Sequence, residues 1–188
     1  MTIVEKQKAL EQIAKQIAKC KICQKDKIGK AVPGEGNANA NIIFIGEAPG
    51  KNEAETGRPF VGRAGKLLRV LIGDAGIEEK KVYITSPVKY LPKYVTPTPS
   101  DIEHGRKHLL KQLRIIQPKI VVLLGNVACK ALIPEHSVRI SIDHGTIYKN
   151  NGISYFISYH PAAPLHSPGL RQTLIDDFKK LKKFVNSK

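Results

Sequence analysis

At 188 residues the chain is long enough for one domain with a sizeable core and leaves little room for two, so a single domain is expected over 1–188. Hydrophobic residues are 41% and charged residues 25%, and no apolar run approaches the ~20 residues of a membrane span, which argues against a membrane protein. A net charge of +15 favours a polyanionic partner, nucleic acid first, although a lysine-rich thermophile surface would carry the same surplus.

Residues 4–19 read as an amphipathic helix, with Ala9, Leu10, Ile13 and Ile17 on the face that packs on the rest of the domain. The N-terminal Thr2–Gln7 stretch lacks the apolar centre of a signal peptide, so an intracellular place (cytoplasm or nucleoid) is expected. Residues 24–40 are rich in Gly, Asn, Lys and Ala and read as an irregular connection. The apolar run Ile42-Ile43-Phe44-Ile45 predicts a buried strand over 41–46, ending abruptly at Gly46 and Glu47. A loop dense in Gly and Pro follows, then a helix over 63–75 that stops at Gly76. Lys81–Thr85 is a second strand, closed by Ser86 and Pro87. The prolines of 91–99 exclude a regular element there, and Ser100 with Glu103 predicts the capping box of a helix that ends before Pro118. Residues 119–125 form the most continuous apolar run, as in a strand covered on both faces. A short helix, 126–133, stops at Pro134, and 138–150 reads as a polar loop or hairpin. A last strand, 153–159, ends at His160-Pro161, and a helix over 170–186 carries the stripe Leu174, Phe178, Leu181, Phe184. Cys129 reads as a small buried hydrophobe.

Four strands alternating with helices predict a three-layer α/β/α sandwich with a four-stranded, mainly parallel central sheet. In such a sheet the strands end on the same edge, where ligands bind. Glu47, Ser86, Gly125-Asn126 and His160 should therefore share one edge. A carboxylate, a histidine and the aromatic Phe60 suit cleavage of a bond whose leaving group becomes an anion while the other fragment becomes a cation. Rupture of the N-glycosidic bond to a nucleobase, with the base drawn out of the stack, fits that pattern. Each residue alone also has a plain structural explanation: a loop salt bridge for Glu47, a strand-end hydrogen bond for His160, core packing for Phe60. The loop is no Walker motif, since Gly46-x-x-x-Gly50 lacks the Gly-Lys-Ser/Thr ending.

The block Gly46-Glu47-Ala48-Pro49-Gly50, then Glu53, then Thr56-Gly57-Arg58-Pro59-Phe60-Val61-Gly62-Arg63-Ala64-Gly65 resembles the first motif of the family 4 uracil-DNA glycosylases. Tyr159-His160-Pro161-Ala162 resembles their second, and the blocks between fall in the family's order, so the likeness spans about residues 17–182. The resemblance implies hydrolysis of uracil from DNA to leave an abasic site, without a metal in the chemical step. It implies that Glu47 orients water or stabilises the sugar cation and that His160 stabilises charge on uracil O2. Phe60 would stack on the flipped base, with Ala48 and Ser86 also at the base. Ala48 stands where the best-studied glycosylase family has an Asp, which leaves more of the work to Glu47. The expected DNA contacts are Arg63, Lys89, Leu165 as the wedge, and His166. The expected partner is uracil-containing DNA, single- or double-stranded, met by a monomer, with no membrane; a sliding clamp is an open candidate.

Two features depart from the family. Ser86 replaces an Asn that reads the edge of uracil, which keeps open a glycosylase for another deaminated or damaged base, or a non-catalytic DNA-binding relative. The family holds a [4Fe-4S] cluster on four cysteines, but here only Cys20 and Cys23 match, while Tyr90 and Gly105 occupy the other two positions. Four thiolates are the standard ligation, so no cluster and no cofactor are expected. Cys20 and Cys23 would be the remnant of the site, with packing of Tyr90 and the 87–99 segment as the staple. A Cys20–Cys23 disulfide, or zinc on Cys20, Cys23, His104 and His108, is an alternative by chemistry alone.

Overall fold

In the computed structural model, which describes residues 1–94 and 96–187, the chain opens on helix α1 (Ile3–Lys19) and the short helix α2 (Lys21–Gln24). Two-residue strands β1 (Lys27–Ile28) and β2 (Glu35–Gly36) lead to β3 (Ile42–Ile45), α3 (Lys51–Thr56) and α4 (Arg63–Asp74). Then come β4 (Val82–Thr85), β5 (Leu91–Pro92), α5 (Pro99–Ile116), β6 (Ile120–Leu124) and α6 (Asn126–Leu132). The chain closes with α7 (Ile140–Asp143), the hairpin β7 (Ile147–Asn150) and β8 (Ile153–Ser158), α8 (Ala163–His166) and α9 (Leu170–Asn186).

The main sheet runs β2-β4-β3-β6-β8-β7. Its four middle strands are parallel, as expected; β2 and β7 add antiparallel edges, making six strands rather than four. Both edges were hard to foresee, because a two-residue bridge and a hairpin arm with alternating exposure carry little apolar signal. Likewise Leu91–Pro92 pairs with Lys27–Ile28 inside segments expected to be irregular, and Val95 of that stretch lies outside the described residues.

Alternation along the strands feeds two cores. Ile43, Ile45, Val121, Leu123 and Ile157 face Leu10 of α1, Leu109 and Leu113 of α5 and Ala128 of α6. Ile42, Phe44, Val122 and Phe156 face Leu68 and Leu71 of α4 and Leu174, Phe178 and Leu181 of α9, with the Phe44 and Phe178 rings stacked at 6.2 Å. These are the three layers. Cys129 is buried in the first core, as its apolar surroundings predict.

The start of α5 differs from expectation. Thr98, not Ser100, is the N-cap: its hydroxyl accepts from Asp101 N–H and the Asp101 carboxylate accepts from Thr98 N–H. Pro99 takes the first helical position, where its fixed φ and missing N–H cost nothing, so the helix begins two residues earlier.

Candidate active site

The register places the strand ends level. Ile45 pairs with Thr85 on one side and Leu123 on the other, and Leu123 pairs with Ile157. Gly46, Ser86, Leu124 and Ser158 therefore lie level at the strand ends, with Gly46 N–H donating to Thr85 O and Gly125 N–H to Ser158 O. Because β4 lies on one side of β3 and β6 on the other, this edge includes the point where the strand order reverses, the usual ligand crevice of an open α/β sheet.

A cavity of about 180 Å³ opens at that edge, lined by Ala48, Phe60, Gly65, Ser86, His160 and Ala162 among others. It is small enough to suit one ring rather than a drug-sized ligand. Phe60 forms a wall in a left-handed conformation, φ +53°, uncommon for a residue with a side chain. Two glycines permit it. A Cβ on Gly65 would lie 1.9 Å from the Phe60 carbonyl oxygen, and one on Gly46 would lie 2.6 Å from the tip of the Phe60 ring. The ring then faces His160 with centroids 5.6 Å apart.

Glu53 holds this loop closed. Its Oε1 accepts from Val61 and Gly62 N–H, each at 2.8 Å, and Oε2 accepts from Gly50 N–H at 3.1 Å. No role for Glu53 was anticipated. The available signal was its place three residues after Gly50, the spacing of a cap residue and its N3 partner.

His160 Nδ1 accepts the Ala162 N–H at 3.1 Å. A ring nitrogen that accepts carries no proton, so the neutral ring bears its proton on Nε2. Burial pushes the His160 pKa down to about 4, against a smaller opposing pull from the Glu53 carboxylate, so the ring is neutral at pH 7. The result is an uncharged Nε2–H donor on a residue lining the cavity. Glu47, next to the lining residue Ala48 in the chain, is partly buried but outside the lining residues; burial alone raises its pKa, with no partner among the described residues. Ser86 is buried, and its hydroxyl donates to Val88 O at 2.7 Å. Its proton is thereby committed, so toward the cavity the oxygen offers lone pairs only.

The family model of the uracil DNA glycosylase superfamily matches residues 33–186. The type-4 uracil-DNA glycosylase of Sulfurisphaera tokodaii is 40% identical over 187 residues, covering 94% of this chain and 85% of that protein. Those of Archaeoglobus fulgidus and Thermotoga maritima are each 36% identical, covering 96% of this chain and 95% and 96% of theirs. The chain belongs to the uracil DNA glycosylase superfamily. Membership makes it a DNA-repair glycosylase, with the sandwich fold described above.

The residues expected to meet DNA divide sharply. Arg63 at the start of α4, and Leu165 and His166 in α8, are exposed, with Leu165 42% exposed on a turn that follows His160 directly. Lys89, by contrast, is buried. It is 2% exposed, and its amine donates to Thr85 Oγ1 at 2.7 Å, Gln112 Oε1 at 2.8 Å and Pro33 O at 3.2 Å. Burial pushes its pKa down to about 7. Two of its three partners, Pro33 and Gln112, come from residues distant in sequence.

The family's cluster does not fit this chain. Position 90 is filled by a buried Tyr packed with Ile13, Ile17 and Cys23. At Gly105 even a Cβ would lie 2.1 Å from Pro87 O, so no cysteine side chain has room. Cys20 and Cys23 are free thiols, and the described residues instead hold a group of four possible metal ligands, Cys20, Cys23, His104 and His108.

Proposed function

We propose that the protein hydrolyses the N-glycosidic bond of uracil in DNA, releasing free uracil and leaving an abasic site. The observation that carries this is the neutral His160, its Nδ1 occupied by Ala162 N–H and its Nε2–H left as donor at the cavity. A target base enters only after leaving the stack, and it lies along Phe60. The bond breaks with its electron pair passing to the base, and negative charge gathers on O2. A neutral donor aimed at that oxygen interacts more strongly with the developing anion than with the ground-state carbonyl, which lowers the barrier. The sugar becomes an oxocarbenium cation, and the Glu47 carboxylate stabilises it and orients the water that adds to C1′. The water's proton ends on the departed uracil anion. Every residue in this scheme comes from one chain, so a monomer suffices. The basic surface, with Arg63, supplies phosphate contacts, and Leu165 with His166 enters the groove at the vacated position.

Ser86 favours a specific reading of the base. With its proton held by Val88 O, its oxygen accepts from an imide N–H such as N3–H of uracil, while cytosine presents a lone pair there and is repelled. The same feature admits other imide bases, so a wider range of deaminated bases is the second reading. A panel of oligonucleotides carrying uracil, cytosine, thymine, hypoxanthine or xanthine, scored by abasic-site cleavage, separates the two. His160→Ala and Glu47→Ala are each expected to slow uracil release by about 10²-fold or more while DNA binding survives. Wild-type rates in both variants would overturn the site assignment.

A further inference from the structure

The corner between α1, α2 and α5 lies apart from the base cavity and is not used by the proposed reaction. Cys20 caps α1, Cys23 lies in α2, and His104 and His108 lie one turn apart on a single face of α5. The spacing is C-x-x-C with H-x-x-x-H, the pattern of closed structural zinc sites. One ligand atom from each side chain can be chosen so that all four lie within 4.8 Å of one another. Cys20 Sγ and His104 Nε2 are already 3.2 Å apart. A tetrahedron with Zn–S near 2.3 Å and Zn–N of 2.0–2.1 Å needs edges of about 3.3–3.8 Å, so small adjustments of the side chains, the Cys20–His104 pair opening slightly and the wider pairs closing, seat one ion. A cubane of four irons and four sulfides would have to force the same atoms much farther apart.

A second, independent observation points to a ligand. His108 is 8% exposed, and its Nδ1 is the one buried side-chain polar atom without a hydrogen-bond partner among the described residues. A buried polar nitrogen without a partner calls for an explanation, and an unrecorded ion is one of the standard ones. Cys23 and His104 also line an open hollow of about 310 Å³, which gives an ion a path in.

We propose that Cys20, Cys23, His104 and His108 bind a single zinc ion, which takes the place of the family's iron–sulfur cluster as the staple of this corner. Two thiolates and two imidazoles match the borderline-soft preference of Zn²⁺, and a closed four-ligand set leaves no position for water, so the ion is structural rather than catalytic. It ties the end of α1 to the middle of α5. Binding exchanges two thiol protons for the metal, so proton release accompanies it.

The test uses the full chain with any affinity tag removed, purified from cells supplied with both zinc and iron. Elemental analysis should give one zinc per chain with neither iron nor acid-labile sulfide at cluster levels. Metal-free protein, prepared by chelation, should take up one equivalent of Zn²⁺ in competition with a chromophoric chelator. With Co²⁺ it should develop the intense visible bands of a tetrahedral thiolate site. Cys23→Ser and His104→Ala should each weaken zinc binding by more than the 10–100-fold that loss of an outer-shell partner costs. Iron with sulfide in cluster amounts would overturn the proposal, as would failure of the metal-free wild-type chain to bind zinc, or zinc binding unchanged in both variants. Should either variant fail to fold, the melting temperature of the wild-type chain decides: it must rise when zinc is restored to the metal-free protein, and no rise refutes the site.

Discussion

Replacing Glu53 tests whether the base cavity is held by one carboxylate. Three main-chain N–H groups of the loop donate to it, two to Oε1 at 2.8 Å and one to Oε2 at 3.1 Å. Hydrogen bonds to a charged group contribute about 1.5–3 kcal/mol each, but this loop is only partly buried and water can replace part of what is lost. Glu53→Ala should therefore cost about 2–4 kcal/mol, a fall of roughly 5–15 °C in Tm for a chain of this size. Glu53→Gln is the control. An amide oxygen can keep the bonds from Val61 and Gly62 but turns an NH₂ toward Gly50 N–H, so it should lose only about 1–2 kcal/mol. The second effect is on chemistry. Val61 and Gly62 flank Phe60 and Gly65, the wall of the cavity, so Glu53→Ala should also lower single-turnover excision at temperatures where the variant is fully folded. Urea unfolding at 25 °C and single-turnover cleavage of a uracil oligonucleotide measure the two. An alanine variant within about 0.5 kcal/mol of wild type and fully active would refute the bracing argument.

The pH profile separates the two site residues. Burial raises Glu47 above its ordinary value and lowers His160 to about 4, so excision should fall on the acid side as Glu47 gains a proton while His160 is still neutral. Glu47→Gln should be slow but flat down to about pH 4, and an unchanged acid limb in that variant would show that another group titrates. His160 also links pH to stability. Its unfolded value is about 6.5 and its folded value about 4, so the unfolded chain takes up the proton first, and the urea midpoint should drop as pH falls from about 6.5 to 4. Lys89→Met should destabilise the fold by about 1–2 kcal/mol, since Gln112 Oε1 loses its closer donor and keeps only Thr85 Oγ1 at 3.5 Å, yet leave the salt dependence of DNA binding unchanged. Arg63→Ala should instead reduce that salt slope by about 1, and the reverse pattern in a salt titration would contradict the burial of Lys89. Ser86→Ala should slow uracil excision about tenfold by removing one acceptor from the base edge, measured against unchanged single-stranded DNA affinity.

The features legible in the sequence are those written in local periodicity. Continuous apolar runs marked the four parallel strands, and the parallel arrangement alone put Glu47, Ser86 and His160 on one edge. What the sequence hid depends on the path the backbone takes in its loops and on where side chains point, which periodicity does not record. That Lys89 points inward is decided by Pro33 and Gln112, 56 and 23 residues away, together with Thr85 four residues before it. The committed proton of Ser86 depends on the path of the chain at Val88, and the tautomer of His160 on a turn that brings Ala162 N–H back over the ring. The motif glycines could be read as loop formers, yet their reason is specific: Gly46 and Gly65 are small because a left-handed Phe60 lies against both.

The two corners of the molecule are joined by residues 86–90, which explains how a staple can matter to chemistry it does not touch. Ser86 lines the base cavity and donates to Val88 O. Val88 and Lys89 line the hollow beside the metal ligands, and Lys89 O accepts from Val32 N–H, another residue of the cavity wall. Tyr90 then packs on Cys23, while Gly105, next to His104, lies against Pro87 O with no room for a side chain. Anything that draws α5 toward α2 therefore presses on the strand end that presents Ser86. In a family that places a cluster there, losing two ligand cysteines would loosen that segment. A buried Tyr90 and two histidines on α5 refill the same corner, and the tight Gly105–Pro87 contact lets α5 come as close as a single ion requires.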